Sequence, residues 1–133
     1  MARLVVYGRS GYCPDMLRWE RWVRQHPLAC VVFDIDFDDA ARDRVRAWTG
    51  HDSVPTLVIA ADDGFDPIEA PAPLTGRGPR GVDRGTMLTE PGTGEVEAFL
   101  RRHGIAFGGP NGTDPSLTAP VIERAGRHAT PLG

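Results

Sequence analysis

The chain has 133 residues, of which 41% are apolar, and this is enough material for one domain around one core. The 15 basic residues are all arginine and are scattered among 18 acidic residues, so the small net charge of −3 gives no reason to expect a nucleic-acid partner. No apolar run approaches the roughly 20 residues that span a bilayer, and the first residues lack a secretory apolar region. We therefore expect a cytoplasmic protein without membrane contact, and the exclusive use of arginine suggests a GC-rich bacterial source.

Hydrophobic periodicity predicts alternating strands and helices in the first half of the chain. Residues 4–7 form a β-type run, and residues 14–25 carry apolar side chains at helical spacing. Residues 30–35 read as a buried strand. A second helix begins near Asp38 or Asp39 and ends at Gly50, followed by a strand over residues 56–60. The connections are long enough for parallel crossovers, so this pattern predicts a mixed α/β fold.

The second half of the chain is less regular. Residues 62–86 are interrupted by several prolines and glycines and predict an irregular excursion. Either Arg77, Arg80 and Arg84 contact an acidic partner there, or the excursion is a disordered addition to the domain. Residues 86–89 predict a fourth strand, and a last helix starts at Thr93 or Gly94.

The predicted domain ends near residue 106. Residues 107–133 are rich in Gly, Pro, Thr and Asn and predict a flexible tail, with at most a brief helical turn over residues 121–127. We therefore divide the chain into a domain over residues 1–106 and a tail.

Two cysteines are too few for a secreted disulfide framework, and with four scattered histidines they give no metal-ligand spacing. Cys13 directly precedes Pro14, which fits the first turn of the first helix, so Cys13 lies at a helix N-terminus. A thiolate there faces unpaired N–H groups and the positive end of the helix dipole, and becomes a nucleophile. The alternative is an inert small side chain at the helix start.

Tyr12-Cys13-Pro14 and the later Ser53-Val54-Pro55-Thr56 together resemble the glutaredoxin branch of the thioredoxin-fold family, over about residues 3–104. The resemblance implies the order β-α-β-α-β-β-α, which agrees with the order read from periodicity. It also implies a cis Val54–Pro55 peptide bond, although cis is uncommon for X–Pro bonds in general.

The resemblance further implies how a small thiol binds. Cys13 is the catalytic nucleophile, and the main chain at Val54 and Pro55 pairs with the peptide-like part of the thiol. Thr93 and Gly94, at the start of the last helix, lie where the family binds a carboxylate. Arg9 fits the family's basic group before the cysteine, one residue further away than usual, and is otherwise a surface arginine. Tyr12 either packs over the bound thiol or covers the loop.

The sequence departs from the family's dithiol pattern, because Met16 occupies the place of the second cysteine. The first helix separates Cys13 from Cys30 by some 18 Å, whereas a disulfide needs Cα atoms within about 7 Å. Cys30 is therefore expected to be a buried strand residue, and any turnover is monothiol. Asp15 opposes formation of the Cys13 thiolate unless its side chain turns to solvent.

Three functions fit this sequence. The first is a monothiol thiol–disulfide oxidoreductase in redox homeostasis, which reduces protein or small-molecule mixed disulfides as a monomer. It needs no tightly bound cofactor, because glutathione or another low-molecular-weight thiol acts as co-substrate. The second is a redox-inactive thioredoxin-fold module that binds an extended peptide at Val54–Pro55. The third is a dimeric iron–sulfur cluster carrier, for which a loop with Pro14 and Met16 is less accommodating.

Overall fold

The structure is a computed structural model, and it describes residues 2–76 and 78–126. Three helices and six strands follow the chain in the order β1 (Ala2–Gly8), α1 (Pro14–Gln25), β2 (Ala29–Asp34), α2 (Asp39–Thr49), β3 (Thr56–Ala61), β4 (Val82–Asp83), β5 (Met87–Thr89), α3 (Thr93–Arg102) and β6 (Val121–Arg124). The predicted mixed α/β fold is confirmed, and each predicted helix and strand of residues 4–104 is present.

The strands form one mixed sheet in the order β4-β5-β3-β1-β2-β6. β1 pairs in parallel with β2, so α1 is the expected crossover helix. β3 pairs antiparallel with β1, and β5 pairs antiparallel with β3. The expectation of a second parallel crossover was therefore wrong, because β3 returns along the far side of β1 instead of extending the parallel pair.

The two faces of the sheet bury different side chains. On one face, Tyr7 of β1 stacks on Phe33 of β2, and Trp48 of α2 meets the Tyr7 ring edge-on. On the other face, Met16, Trp19 and Val23 of α1 are buried. β1 contributes a run of fully buried residues between these layers, as expected for a central strand covered by helices on both sides.

The excursion over residues 62–86 contains one short regular element, β4, which the sequence analysis did not predict. β4 pairs antiparallel with β5 at the end of the sheet. Its hydrogen bonds to β5 and the buried guanidinium of Arg84, which donates to the carbonyls of Ala72 and Trp48 at 2.6 Å each, attach the excursion to the domain. Arg77 lies outside the described residues, so the contact proposed for it has no structural counterpart here.

The C-terminal part of the chain differs from its prediction. Residues 121–124 form the strand β6, which pairs in parallel with β2, so the brief helical turn expected over residues 121–127 was wrong for residues 121–124. β2 would otherwise present an open edge, and the β-branched Val121 and Ile122 suit strand pairing. Arg127 lies outside the described residues, and the division into a domain and a flexible tail stays a prediction.

None of the helices in the described part of the chain is long and apolar enough to cross a membrane.

Candidate functional site at the start of the first helix

Cys13 is the N-cap residue of α1 and has extended backbone angles, with φ at −156° and ψ at 119°. Pro14 follows at the first helical position, and the carbonyl of Cys13 accepts the first helical hydrogen bond, from the Leu17 N–H at 3.0 Å. The side chain makes no capping hydrogen bond and is half-buried. The sulfur therefore sits at the positive end of the helix dipole without a structural role in the cap.

The turn before β3 carries the second part of the predicted site. The Val54–Pro55 peptide bond is cis, as expected. Thr56 donates its hydroxyl to the Ser53 carbonyl at 2.9 Å, and the Glu90 N–H donates to the Pro55 carbonyl at 2.8 Å. Within residues 2–76 and 78–126, the main-chain N–H and C=O of Val54 have no hydrogen-bond partner. Val54 is 2% exposed, and the pairing of these groups with an extended ligand stays a prediction.

A cluster of charged side chains joins these two parts. The Arg80 guanidinium binds the Asp15 carboxylate through two atoms, at 2.7 and 3.0 Å, and reaches Glu90 at 3.2 Å. Arg18 also binds Asp15, at 3.0 Å. Because Glu90 is hydrogen-bonded to Pro55, this cluster places the start of α1 beside the cis-proline turn. Glu90 was not among the predicted site residues, because it follows β5 outside any recognisable motif.

Two arginine pairs shift the acidity of carboxyl groups in this region. The hydrogen bond from Arg80 and the charges of Arg80 and Arg18 lower the pKa of Asp15, against a smaller desolvation that raises it. Desolvation raises the pKa of Glu90, partly offset by the Arg80 charge. Asp15 is therefore held as a carboxylate between two cations. Its negative charge, which the sequence analysis expected to oppose the Cys13 thiolate, is balanced by Arg80 and Arg18.

The remaining predicted binding residues are only partly placed by the structure. Arg9 is engaged in a two-atom ion pair with Asp36, at 3.2 and 2.8 Å, in the turn after β2. This hydrogen bond is the main cause of the raised pKa of Arg9. Tyr12 is 84% exposed. Packing over a bound thiol and covering the loop both stay predictions for this side chain.

Thr93 and Gly94 occupy the first two positions of α3, as predicted. Gly92 is the N-cap residue, and its N–H donates to the Glu95 carboxylate at 2.6 Å. One of the free donors at this helix start is thus already taken by the protein's own acid. The carboxylate site predicted at Thr93 and Gly94 stays a prediction.

The structure also explains the two residues that depart from the dithiol pattern. Met16 is buried against Gly8, where an added Cβ would lie 2.6 Å from the Met16 methyl carbon. Cys30 is 7% exposed in β2, and burial raises its pKa to about 12. Both cysteines are free thiols. Cys30 therefore lacks the exposure and the thiolate that a resolving cysteine needs.

A cavity of about 370 Å³ lies elsewhere, between α1, β2 and β6. Cys30, Met16 and Ile122 line it, whereas Cys13 and Val54 do not. We place the functional site at Cys13 because the chemistry of a thiol depends on its exposure and electrostatic surroundings, and a concave volume alone supplies neither. Within the described residues, no group of three or more potential metal ligands is found.

The mixed sheet, the cis proline before β3 and the cysteine that caps α1 define a protein of the thioredoxin fold. Residues 4–63 match the family model of glutaredoxin. The match supports a glutaredoxin-like thioredoxin-fold protein, as the two motifs predicted, and the monothiol form of the motif stays a prediction. Comparisons with curated proteins and with solved structures gave no match. The family model supports a relation to glutaredoxin-type thiol oxidoreductases, whose general co-substrate is glutathione.

Proposed function

We propose that this protein is a monothiol thiol–disulfide oxidoreductase with Cys13 as its nucleophile. The observation that carries the proposal is the position of Cys13, a half-buried thiol that caps α1 and is left free of structural hydrogen bonds. Helix N-termini favour anions, so this position favours the reactive thiolate.

The reaction proceeds in two exchange steps. The Cys13 thiolate attacks the small-thiol sulfur of a mixed disulfide, so that a disulfide forms between Cys13 and the small thiol while the substrate thiolate leaves. A second small thiolate then attacks this intermediate, which releases the oxidised small-thiol dimer and restores the Cys13 thiolate. Each turnover thus consumes one molecule of small thiol, because the other half of the oxidised dimer comes from the mixed disulfide itself, and no second protein cysteine takes part.

The surroundings of Cys13 support the monothiol route. Met16 forms no disulfide, and the buried Cys30 thiol, with its pKa raised to about 12, is a poor attacking group. The unpartnered main chain of Val54 offers two hydrogen bonds to the peptide-like part of a thiol such as glutathione. One chain carries all of these groups, and we propose that the protein acts as a monomer on protein or small-molecule mixed disulfides.

The test is turnover of a glutathione mixed disulfide, with glutathione and with a second bacterial low-molecular-weight thiol as reductant. The native chain is compared with Cys13→Ser and, as the matched control, Cys30→Ala. The proposal predicts turnover that Cys13→Ser abolishes and Cys30→Ala retains. Equal rates for all three proteins would refute it and leave a redox-inactive binding module as the better account. Brown colour after anaerobic purification would favour cluster carriage instead.

A further inference from the structure

The excursion over residues 62–86 is tied to the domain at several points. Besides the Arg84 contacts, the Thr86 hydroxyl donates to the Glu69 carbonyl at 2.7 Å, and the Ile68 N–H donates to Ile59 of β3 at 2.8 Å. The N–H of Gly81 donates to Thr89 of β5 at 2.7 Å. These hydrogen bonds involve residues before Arg80, residues after it and its direct neighbour Gly81. They therefore fix the path of the main chain that carries Arg80.

Arg80 itself is not needed to hold this path. Its side chain is 61% exposed, and its contacts are ion pairs with Asp15 and Glu90. Exposed ion pairs of this kind add little to folding stability. Asp15, in contrast, is only 13% exposed, because the guanidinium groups of Arg80 and Arg18 cover its carboxylate. The arrangement therefore shields and neutralises a carboxylate without adding much to the stability of the fold.

The position of Asp15 makes this shielding chemically relevant. Asp15 is in the first turn of α1, two residues after Cys13, so an unpaired negative charge there would repel the Cys13 thiolate and compete for the same helix dipole. The charged groups around this end of the molecule are Asp15 and Arg18 on α1, Arg9 before it, Asp36 after β2, Asp52 before β3, Arg80 on the excursion and Glu90 after β5. Among them, Arg80 alone binds both Asp15 and the residue that contacts the cis-proline turn.

We propose that Arg80 is a positioning residue for Cys13, which holds the Asp15 carboxylate as a neutralised pair and leaves the start of α1 free to stabilise the Cys13 thiolate. This inference rests on the proposed role of Cys13 as a nucleophile. The inference assigns a role to the excursion, because the excursion places the cation Arg80 against the acid Asp15 of α1. The two-atom geometry suits arginine, whose planar guanidinium matches a carboxylate.

The experiment follows alkylation of Cys13 by iodoacetamide from pH 5 to pH 9, with peptide mass spectrometry to assign the modified residue. The variants are Arg80→Ala, Arg80→Lys, Asp15→Asn and the double variant Asp15→Asn/Arg80→Ala. Arg101→Ala is the control, because Arg101 makes an exposed ion pair with Glu97 on α3 and its other contacts, with the Asn111 carbonyl and the Phe107 ring, do not involve Asp15. Urea unfolding of each variant shows that the fold is retained.

The proposal predicts that Arg80→Ala slows alkylation at pH 7 by about three- to tenfold and raises the pH of half-maximal rate by about 0.5–1 unit. The reason is that the Asp15 carboxylate, no longer paired with Arg80, repels the Cys13 thiolate. Arg80→Lys retains most of the rate. Asp15→Asn reacts at least as fast as the native chain, and adding Arg80→Ala to it changes little. A merely structural role would slow Arg80→Ala equally in both backgrounds, and that result, or an Arg80→Ala rate equal to that of Arg101→Ala, overturns the proposal.

Turnover measured beside alkylation separates this inference from the proposed function. A chain without turnover whose alkylation still depends on Arg80 and Asp15 refutes the oxidoreductase and upholds the positioning role. A chain that turns over through Cys13 but ignores Arg80 refutes the positioning role alone. If the native chain shows no turnover and no variant changes the alkylation rate of Cys13, both proposals fail.

Discussion

The two cysteines are the same chemical group in opposite surroundings. Cys13 caps a helix, is half-buried and has a free side chain, whereas Cys30 lies in β2 beneath α1 with 7% of its surface exposed. Burial raises the pKa of Cys30 to about 12, so at neutral pH this thiol stays protonated. The difference shows that one fold can place one thiol at a helix N-terminus and bury another in a strand beneath the same helix.

The same contrast holds for two arginines of the excursion. The Arg84 guanidinium is buried against main-chain carbonyls and fixes the excursion in place. Arg80, four residues earlier, is exposed and reaches Asp15 beside the reactive cysteine. Anchoring and electrostatic tuning are thus divided between neighbouring side chains of one segment.

The largest expected effect is the difference in reactivity between the two thiols. In the native chain at pH 7, we expect Cys30 to react with iodoacetamide at least about 100-fold more slowly than Cys13, because it is both protonated and covered. In urea the two rates should converge to within a few-fold. Peptide mass spectrometry of timed samples measures both rates, and similar native rates would contradict the comparison.

The second effect is a loss of stability at alkaline pH. The folded pKa of Cys30 lies above its unfolded value, so its contribution is fully present below about pH 9 and is lost as the pH rises toward about 12. Between pH 8 and pH 11 we expect this group to remove roughly 2–3 kcal/mol from the free energy of unfolding. Tyr7, whose pKa is raised to about 12 by burial, adds to the loss above pH 10.

Urea unfolding at pH 8, 10 and 11 measures this loss. Cys30→Ala should have a shallower alkaline slope than the native chain, whatever its stability at pH 8, and Cys13→Ser should keep the native slope. A Cys30→Ala slope equal to the native one would mean that the buried thiol is not the source.

The third effect compares the two arginines. Arg84→Ala should lower the free energy of unfolding by about 2 kcal/mol, because it removes charged hydrogen bonds to two main-chain carbonyls together with the packing of a buried side chain. Arg80→Ala should cost less than about 0.5 kcal/mol, as is usual for an exposed ion pair. Urea unfolding of both variants at pH 7 gives the comparison, and equal losses would show that Arg80 is an anchor as well.

The smallest effect concerns Asp15 at acid pH. Its folded pKa is lowered by the Arg80 hydrogen bond, so its contribution is present above the unfolded value near 4 and is lost as the pH falls through the folded pKa. Solvent screening keeps this contribution below about 1 kcal/mol. Asp15→Asn should be slightly less stable than the native chain at pH 7, and the two should converge near pH 2. If Asp15→Asn is still less stable than the native chain at pH 2, the loss of stability comes from packing and not from the charge of Asp15.

The sequence predicted the elements with strong periodicity and the features that two motifs define. α1 and β2 were expected because apolar spacing and a flanking proline are local signals, and the cis Val54–Pro55 bond was expected from the resemblance to glutaredoxins. β6 was missed because its four residues are all exposed and gain their structure from the open edge of β2. Pairing with β2, which lies about 90 residues earlier in the chain, cannot be recognised from the local hydrophobic pattern of β6.

The charged part of the site was hard to predict for the same reason. Arg9 was expected to bind the small thiol or to be a surface arginine, whereas the structure engages it with Asp36, 27 residues further along the chain. Arg80 was noted as one of three arginines that could meet an acidic partner, and that partner is Asp15 of the same chain, 65 residues away. Ion pairs between distant residues depend on the tertiary path, which composition and periodicity do not specify.

The most direct test of the account is the intact mass of the native chain after incubation with glutathione disulfide and removal of the excess. The account predicts one glutathionyl group per chain, located at Cys13, released by added glutathione and absent in Cys13→Ser. A chain of unchanged mass, or an adduct on Cys30, would contradict the claim that Cys13 is the working thiol of this fold.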